Sequence, residues 1–160
     1  MQTIKIILFV SILGLSQQPL FAQESILKDQ FEKSNEGKYC FYPSTLRMVN
    51  IKQNADFNEL ATGVEKLLIY QLDSSSQANK SYREVSEKYQ SVGFEEYASA
   101  QGGGMSLSIV GKSDRRQQEF AGYMWSDELA VAFYLRGDIP WQKIPTLIKS
   151  MEDLDLIEIF

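Results

Sequence analysis

The side chains that could carry out catalysis are few and scattered. The chain contains no histidine, which excludes histidine-based triads, most zinc sites and the commonest general base. Ser25 and Lys28 have the spacing of a serine nucleophile with its lysine, but they lie near an expected cleavage site, so we interpret the match as chance. Gly111-Lys112-Ser113 resembles the end of a phosphate-binding loop, yet Ser106 stands where that loop requires glycine. A classical hydrolase or nucleotide-binding site is not indicated.

Acidic side chains cluster at Glu95-Glu96, at Asp127-Glu128 and in the tail at Glu152-Asp153 and Asp155. Adjacent residues of a strand point to opposite faces, so Glu95 and Glu96 cannot act as a catalytic pair without a bulge. The tail lacks the glycine turn and the later glutamate of a calcium loop, and we interpret it as a solvated acidic segment. We therefore predict no metal site and no cofactor.

The N-terminal segment has the three zones of a secretory signal peptide. Lys5 is followed by an apolar stretch over residues 6–15 and by a small residue, Ala22, at the expected cleavage position. The stretch is too short to span a bilayer, and no cysteine follows it that could carry a lipid anchor. We expect a signal peptide at 1–22, cleavage before Gln23 and a soluble exported protein, periplasmic or extracellular, without stable membrane insertion.

Residues 23–160 have the length of a single domain with one core. The whole chain has a formal charge of −5 and no lysine-rich stripe, so neither nucleic acid nor anionic lipid is an expected partner. Cys40 is the only cysteine, which excludes an internal disulfide. Within Tyr39–Tyr42 we expect it to be a buried thiol without a chemical role.

Hydrophobic periodicity predicts helices first and strands later. A weak helix through Leu27 and Phe31 is expected to end at Gly37, and a short one to begin at Pro43. A third is expected to reach about Gly63, followed by a strand over 66–72. Residues 79–92 form the strongest helical pattern, with Gly93 just beyond its end.

From Phe94 the period changes to two, which predicts a four-stranded antiparallel meander up to Gly137. A last helix is expected over 141–152, and the tail at 153–160 is expected to add a short strand. Together these patterns predict a two-layer α+β domain, in which an antiparallel sheet of four to five strands carries its helices on one face.

A two-residue turn at Asp127-Glu128 fixes the register of the two flanking strands. It places Trp125 opposite Ala130, Gly122 opposite Phe133 and Glu119 opposite Arg136. The same register pairs Met124 with Val131, Tyr123 with Ala132 and Phe120 with Leu135. Met124, Phe133 and Leu135 then share a core face.

The opposite sheet face collects aromatic rings among polar groups and is our candidate binding surface. Flat rings on a polar sheet face suit an envelope protein, a peptide or a glycan. The alternative is that the rings cover one another and nearby alanines or lie under a helix. The candidate residues are Ser106, Ser108, Tyr123, Trp125, Tyr134 and Arg136.

Several segments resemble the small exported proteins of Bacteroidota grouped as domain-of-unknown-function family 4252. They are Tyr42–Met48, Val64–Tyr70, Glu87–Phe94 and above all Leu135–Ile139 leading into Ile144–Met151. Pro140, Pro145 and the Gly-Gly-Gly turn depart from the family pattern. The resemblance implies export, an envelope location and one α+β domain, and it supplies no catalytic or ligand residues.

Three functions are consistent with these features. A non-enzymatic binding or accessory protein is preferred, because the polar and aromatic sheet face is the one surface suited to a partner and no catalytic constellation is evident. The alternatives are a regulatory partner of a membrane signalling protein and an enzyme that uses carboxylates in a cleft formed on folding.

Overall fold

The computed structural model describes residues 22–33, 35–49, 55–73, 76–114, 117–126 and 129–152. The expected signal peptide up to residue 21 and the expected strand at 153–160 lie outside these residues. The helices are α1 (Ala22–Phe31), α2 (Pro43–Val49), α3 (Ala55–Gly63), α4 (Ser76–Ser91) and α5 (Ile144–Glu152), with a short 3₁₀ helix at Trp141–Lys143. The strands are β1 (Asn35–Phe41), β2 (Val64–Leu72), β3 (Glu95–Gly102), β4 (Met105–Asp114), β5 (Gln117–Trp125) and β6 (Ala130–Gly137).

The strands form one antiparallel sheet in the order β1-β2-β6-β5-β4-β3. The predicted meander is confirmed as β3 to β6. The prediction of four to five strands was wrong, since the described residues alone supply six. β2 adds to β6 and β1 adds to β2, so the early part of the chain extends the sheet beyond the meander.

The register predicted from the turn at residues 127–128 is confirmed. Trp125 pairs with Ala130, Gly122 with Phe133 and Glu119 with Arg136. The Ser126 backbone N–H donates to the Leu129 carbonyl oxygen at 2.7 Å, next to the last residue pair of these strands. The prediction of which side chains share a face of the sheet is therefore correct for these two strands.

Helices cover both faces of the sheet, and the expectation of helices on one face was wrong. On one face, α2, α3 and α5 contribute Leu46, Phe57 and Leu147 to a core around Phe133. On the other face, α1 and α4 bury a second set of side chains, namely Leu27, Phe31, Tyr82, Val85 and Tyr89. The helices expected at 79–92 and 141–152 thus pack on opposite faces, and the fold has three layers.

No helix within the described residues has both the length and the apolar character needed to cross a membrane.

Two details of the early chain also differ from expectation. Gly37 does not end a helix, because α1 stops at Phe31 and Gly37 lies within the edge strand β1. Cys40, expected to be buried, is exposed. Cys40 pairs with Leu68, which faces the layer formed by α1 and α4, so both residues lie on that side of the sheet. Because β1 is an edge strand, this layer does not cover the Cys40 side chain.

Candidate functional site

A polar groove runs between α4 and the β3–β4 hairpin, and we call it the α4–β3 groove. Its volume is about 520 Å³. The helix supplies one wall and the sheet supplies the floor. Its lining consists of Tyr82, Arg83, Ser86, Glu87 and Gln90 from α4, Glu96, Ser99, Ala100 and Gln101 from β3, Ser106, Leu107 and Ser108 from β4, and Tyr123 from β5.

The strand register places the polar groups of the floor on one face. Ser99 pairs with Ser108, and Gln101 pairs with Ser106 across β3 and β4. Ser108 in turn pairs with Tyr123 of β5. Paired residues of an antiparallel sheet project from the same face, so a row of hydroxyl and amide groups runs across three strands.

The helical period of α4 explains the wall. Tyr82, Val85 and Tyr89 are buried and attach the helix to the sheet. Arg83 and Glu87 are one turn apart on the flank of that buried stripe, so they are directed toward the uncovered hairpin and are exposed. The groove is therefore a polar recess beside a helix that apolar packing holds in place.

Two stacked tyrosines lie at the base of the groove. The ring centroids of Tyr82 and Tyr123 are 4.8 Å apart, and the rings are 3 % and 2 % exposed. Ser108 lies near the Tyr82 hydroxyl, yet neither phenol oxygen has a hydrogen-bond partner of good geometry among the described residues. Burial raises the pKa of Tyr123 to about 12 and also raises the pKa of Tyr82. Both phenols consequently remain neutral at physiological pH.

The structure divides the predicted binding surface into two parts. Ser106, Ser108 and Tyr123 line the groove. Trp125 is partly buried and packs against the core beneath α1 and α4. The predicted residues share one sheet face, as the register requires, but α1 and α4 cover much of that face, so it is not an open sheet face.

The other two predicted residues lie away from the groove. Tyr134 is 2 % exposed, beneath the α1 and α4 layer, and its hydroxyl donates to Glu119 Oε2 at 2.8 Å. Burial and the Glu119 carboxylate raise the pKa of Tyr134. Arg136 Nε lies 3.2 Å from Glu65 Oε2 on β2. These contacts give both residues a structural role.

One protein-family model matches most of the fold, including the groove. The sequence model described as "Domain of unknown function (DUF4252)" matches residues 43–147. The chain belongs to the DUF4252 family. No curated protein and no solved structure matches it. In this DUF4252 chain the matched segment begins at α2 and contains every residue that lines the groove, whereas α1 and β1 precede it.

The sequence did not single out the α4 wall of the DUF4252 groove. Arg83, Ser86, Glu87 and Gln90 are ordinary polar residues of an amphipathic helix, and only their spacing beside Tyr82, Val85 and Tyr89 distinguishes them. That spacing could have shown that one flank of α4 lies next to the sheet. It could not have shown that the sheet there is left uncovered.

The groove contains hydrogen-bonding groups of every kind but no cluster of metal ligands. Among the described residues, no three His, Cys, Asp or Glu side chains are grouped so that they could hold a metal ion. Hydroxyl and amide groups, two carboxylates and one guanidinium can together donate to and accept from a polar ligand. The arrangement is suited to binding.

A second, smaller cavity lies between α3 and the segment that leads into α5. Its volume is about 340 Å³, and Glu59, Asp138 and Lys143 lie on its wall. It contains none of the residues that the sequence predicted for a binding surface. The α4–β3 groove is therefore the stronger candidate site.

Proposed function

We propose that this DUF4252 protein is an exported, non-enzymatic binding module whose ligand occupies the α4–β3 groove. One observation carries the proposal: a polar recess of ligand-binding size lies between a helix and a sheet and contains three of the residues expected for a binding surface. Ligand sites typically measure about 300–1,000 Å³. Because most of the lining residues carry hydroxyl, amide or charged groups, the groove suits a polar ligand such as a peptide or a glycan better than an apolar small molecule.

The packing of α1 is compatible with cleavage before Gln23. The Tyr89 hydroxyl donates to the Gln23 carbonyl oxygen at 2.8 Å, and Leu27 is fully buried. The Lys66 ammonium lies 2.6 Å from Glu24 Oε2. Cleavage at this position would leave all of these contacts in the mature domain.

The exposure of the charged groups supports binding over catalysis. Glu87 and Glu96 both line the groove, and both are exposed. Carboxylates that act as general acids are typically held in buried, low-dielectric surroundings or beside another charge that alters their pKa. The phenols of Tyr82 and Tyr123 are buried, but the raised pKa values make them poor bases at neutral pH.

The proposal is tested by filling the groove without disturbing the core. Gln90→Trp places a large ring on the α4 wall, where the native side chain is exposed. Glu84→Trp is the matched control, since Glu84 is exposed on the same helix and does not line the groove. Residues 23–160 are immobilised in wild-type and variant form and exposed to an envelope extract and to a glycan array.

Wild type and Glu84→Trp should retain the same ligand, and Gln90→Trp should retain at least about tenfold less, which corresponds to 1.4 kcal/mol. Equal retention by the two variants would remove the groove as the binding site. Chemical conversion of the retained ligand would favour the enzyme alternative. Specific capture of a membrane signalling protein would favour the regulatory one.

A further inference from the structure

The open side of the groove is formed by the outer edge of β3. β3 is the last strand in the sheet order, and β4 is its one partner among the described strands. Ser99, Ala100 and Gln101 are all exposed. Natural edge strands are commonly protected by charges, proline or bulges. β3 has its register shift between Glu96 and Ala98, and beyond it the strand carries neither charge nor proline.

The opposite edge of the sheet is protected differently. β1 carries Glu36 and Lys38, and the Lys38 ammonium is 2.7 Å from Glu32 at the end of α1. A charged side chain on an edge opposes the approach of another strand because pairing would desolvate it. Of the two edges, the one beside the groove is therefore the one suited to accept a strand.

The hairpin turn determines which backbone groups face the open edge. Gly103 and Gly104 have φ angles of 61° and 78°, which is the pattern of a two-residue type I′ turn closed by the pair Gly102 and Met105. The closing pair of such a turn is hydrogen-bonded, and non-hydrogen-bonded and hydrogen-bonded pairs then alternate along the hairpin. Gln101 and Ser99 therefore both belong to non-hydrogen-bonded pairs. The N–H and C=O groups of Ser99 and Gln101 consequently point away from β4.

We infer that the ligand of the α4–β3 groove is an extended, basic peptide segment that pairs with β3 as an additional strand, an inference that rests on the function proposed above. Ser99 and Gln101 also direct their side chains into the groove, since they pair with Ser108 and Ser106. Peptide residues opposite them would project from the same face. Main-chain bonds would then supply affinity, and the groove would select alternate side chains.

Charge identifies the kind of peptide. Glu87 and Glu96 line the groove together with one cation, Arg83, and none of the three forms an ion pair with another described residue. The chain as a whole carries a charge of −5. A Lys or Arg side chain entering the groove meets complementary charge, whereas a second copy of this chain would bring one net negative groove against another.

The test uses a phage-displayed library of random linear twelve-residue peptides as the probe. We expect enriched peptides to contain Lys or Arg and to bind the wild-type protein. Ser99→Pro removes the outward N–H at an edge position that tolerates proline, and it should weaken binding at least about tenfold. Ser99→Ala removes the hydroxyl but keeps that N–H, so it should weaken binding clearly less than Ser99→Pro does.

Amide hydrogen exchange in the wild-type protein tests the same pairing without any variant. In the free protein the Ser99 and Gln101 amides should exchange rapidly, while the Ala100 amide, which faces β4, is protected. Bound peptide should slow exchange at Ser99 and Gln101 at least about tenfold. This measurement decides the matter if Ser99→Pro does not fold.

The outcomes separate the two proposals. Failure to enrich any peptide, enrichment without Lys or Arg, or unchanged exchange at Ser99 would overturn the strand-addition inference. Glycan binding that Gln90→Trp abolishes and Ser99→Pro leaves intact would overturn it as well, while the groove would remain the binding site. Equal ligand binding by Gln90→Trp and Glu84→Trp would overturn the proposed function itself.

Discussion

Replacing Gly122 by alanine should destabilise the protein by about 2 kcal/mol, because the added methyl group has no room. A Cβ atom at Gly122 would overlap the Phe133 ring and lie 2.7 Å from the Ser108 carbonyl oxygen. Phe133 is fully buried, and the carbonyl oxygen belongs to the backbone of β4, so neither neighbour can move aside.

The magnitude follows from two opposing effects. Overpacking costs about 1–3 kcal/mol, and a contact with the backbone, which no rotamer change relieves, places this site near the upper value. Alanine gains about 0.5–1 kcal/mol over glycine because the unfolded chain has less conformational freedom to lose. The net cost is about 2 kcal/mol, or a fall in Tm of roughly 6–8 °C for a domain of this size.

The measurement is urea unfolding at 25 °C together with calorimetry. Gly103→Ala is the control: no atom lies within 4 Å of its Cβ position, so only the left-handed φ of 61° should cost about 1 kcal/mol. Phe133→Leu should destabilise the Gly122→Ala protein less than it destabilises wild type, because a smaller side chain makes room for the methyl group. An unchanged urea midpoint for Gly122→Ala, or equal effects of Phe133→Leu in both backgrounds, would refute the packing of Gly122 against Phe133.

Three further predictions concern surface chemistry and pH. Cys40 is exposed, so it should react completely with a thiol reagent in the folded protein, and a requirement for denaturant would contradict its placement. Glu24→Gln should lower the free energy of unfolding by about 1 kcal/mol, since it breaks a partly buried pair with Lys66, and Asp29→Asn on the exposed side of α1 should have no comparable effect. The pKa of Tyr123 is raised to about 12 by burial, so its contribution to stability is complete below pH 10 and is lost as the pH rises through 12. Unfolding measured from pH 8 to 12 should show less alkaline loss in Tyr123→Phe, and equal loss in both proteins would contradict this assignment.

The meander could be predicted from the sequence because its constraints are local. The two-residue turn expected from the sequence fixes the pairing of β5 with β6, and an error of one residue would move Met124 out of the core and Trp125 into it. Gly122 opposite Phe133 gave an independent check, since a large ring and an absent side chain are complementary. The helix at 76–91 was equally accessible, because Tyr82, Val85 and Tyr89 repeat at the helical period.

The early chain was harder to predict because its structure depends on distant contacts. Glycine follows many helices and also occurs in edge strands, so Gly37 alone did not distinguish a helix end from β1. β1 is a strand because it pairs with β2, about thirty residues later in the chain. The exposure of Cys40 likewise depends on where α1 ends above the sheet, and no local pattern contains that information.

Only three of the six residues predicted for a binding surface line the groove, for a similar reason. The register placed Ser106, Ser108, Tyr123 and Tyr134 on one face correctly, and this face does carry the groove. The sequence could not indicate which part of that face the helices cover. Apolar periodicity shows that a helix has a buried side, but it does not assign that side to one face of a sheet or the other.

The width of the helical layer explains both exposed margins of this face. Packed helices lie about 10 Å apart and strands about 4.8 Å apart, so two helices cover about four strands. α1 contacts β6 and reaches β2 through Glu24, while α4 contacts β4 and β5. The outer strands of the six are left at the margins, which accounts for the exposure of Cys40 on β1 and for the groove above β3. Lys38 and Glu32 bridge the margin at β1, whereas none of the charged residues that line the groove bridges the margin at β3, so a ligand can enter there.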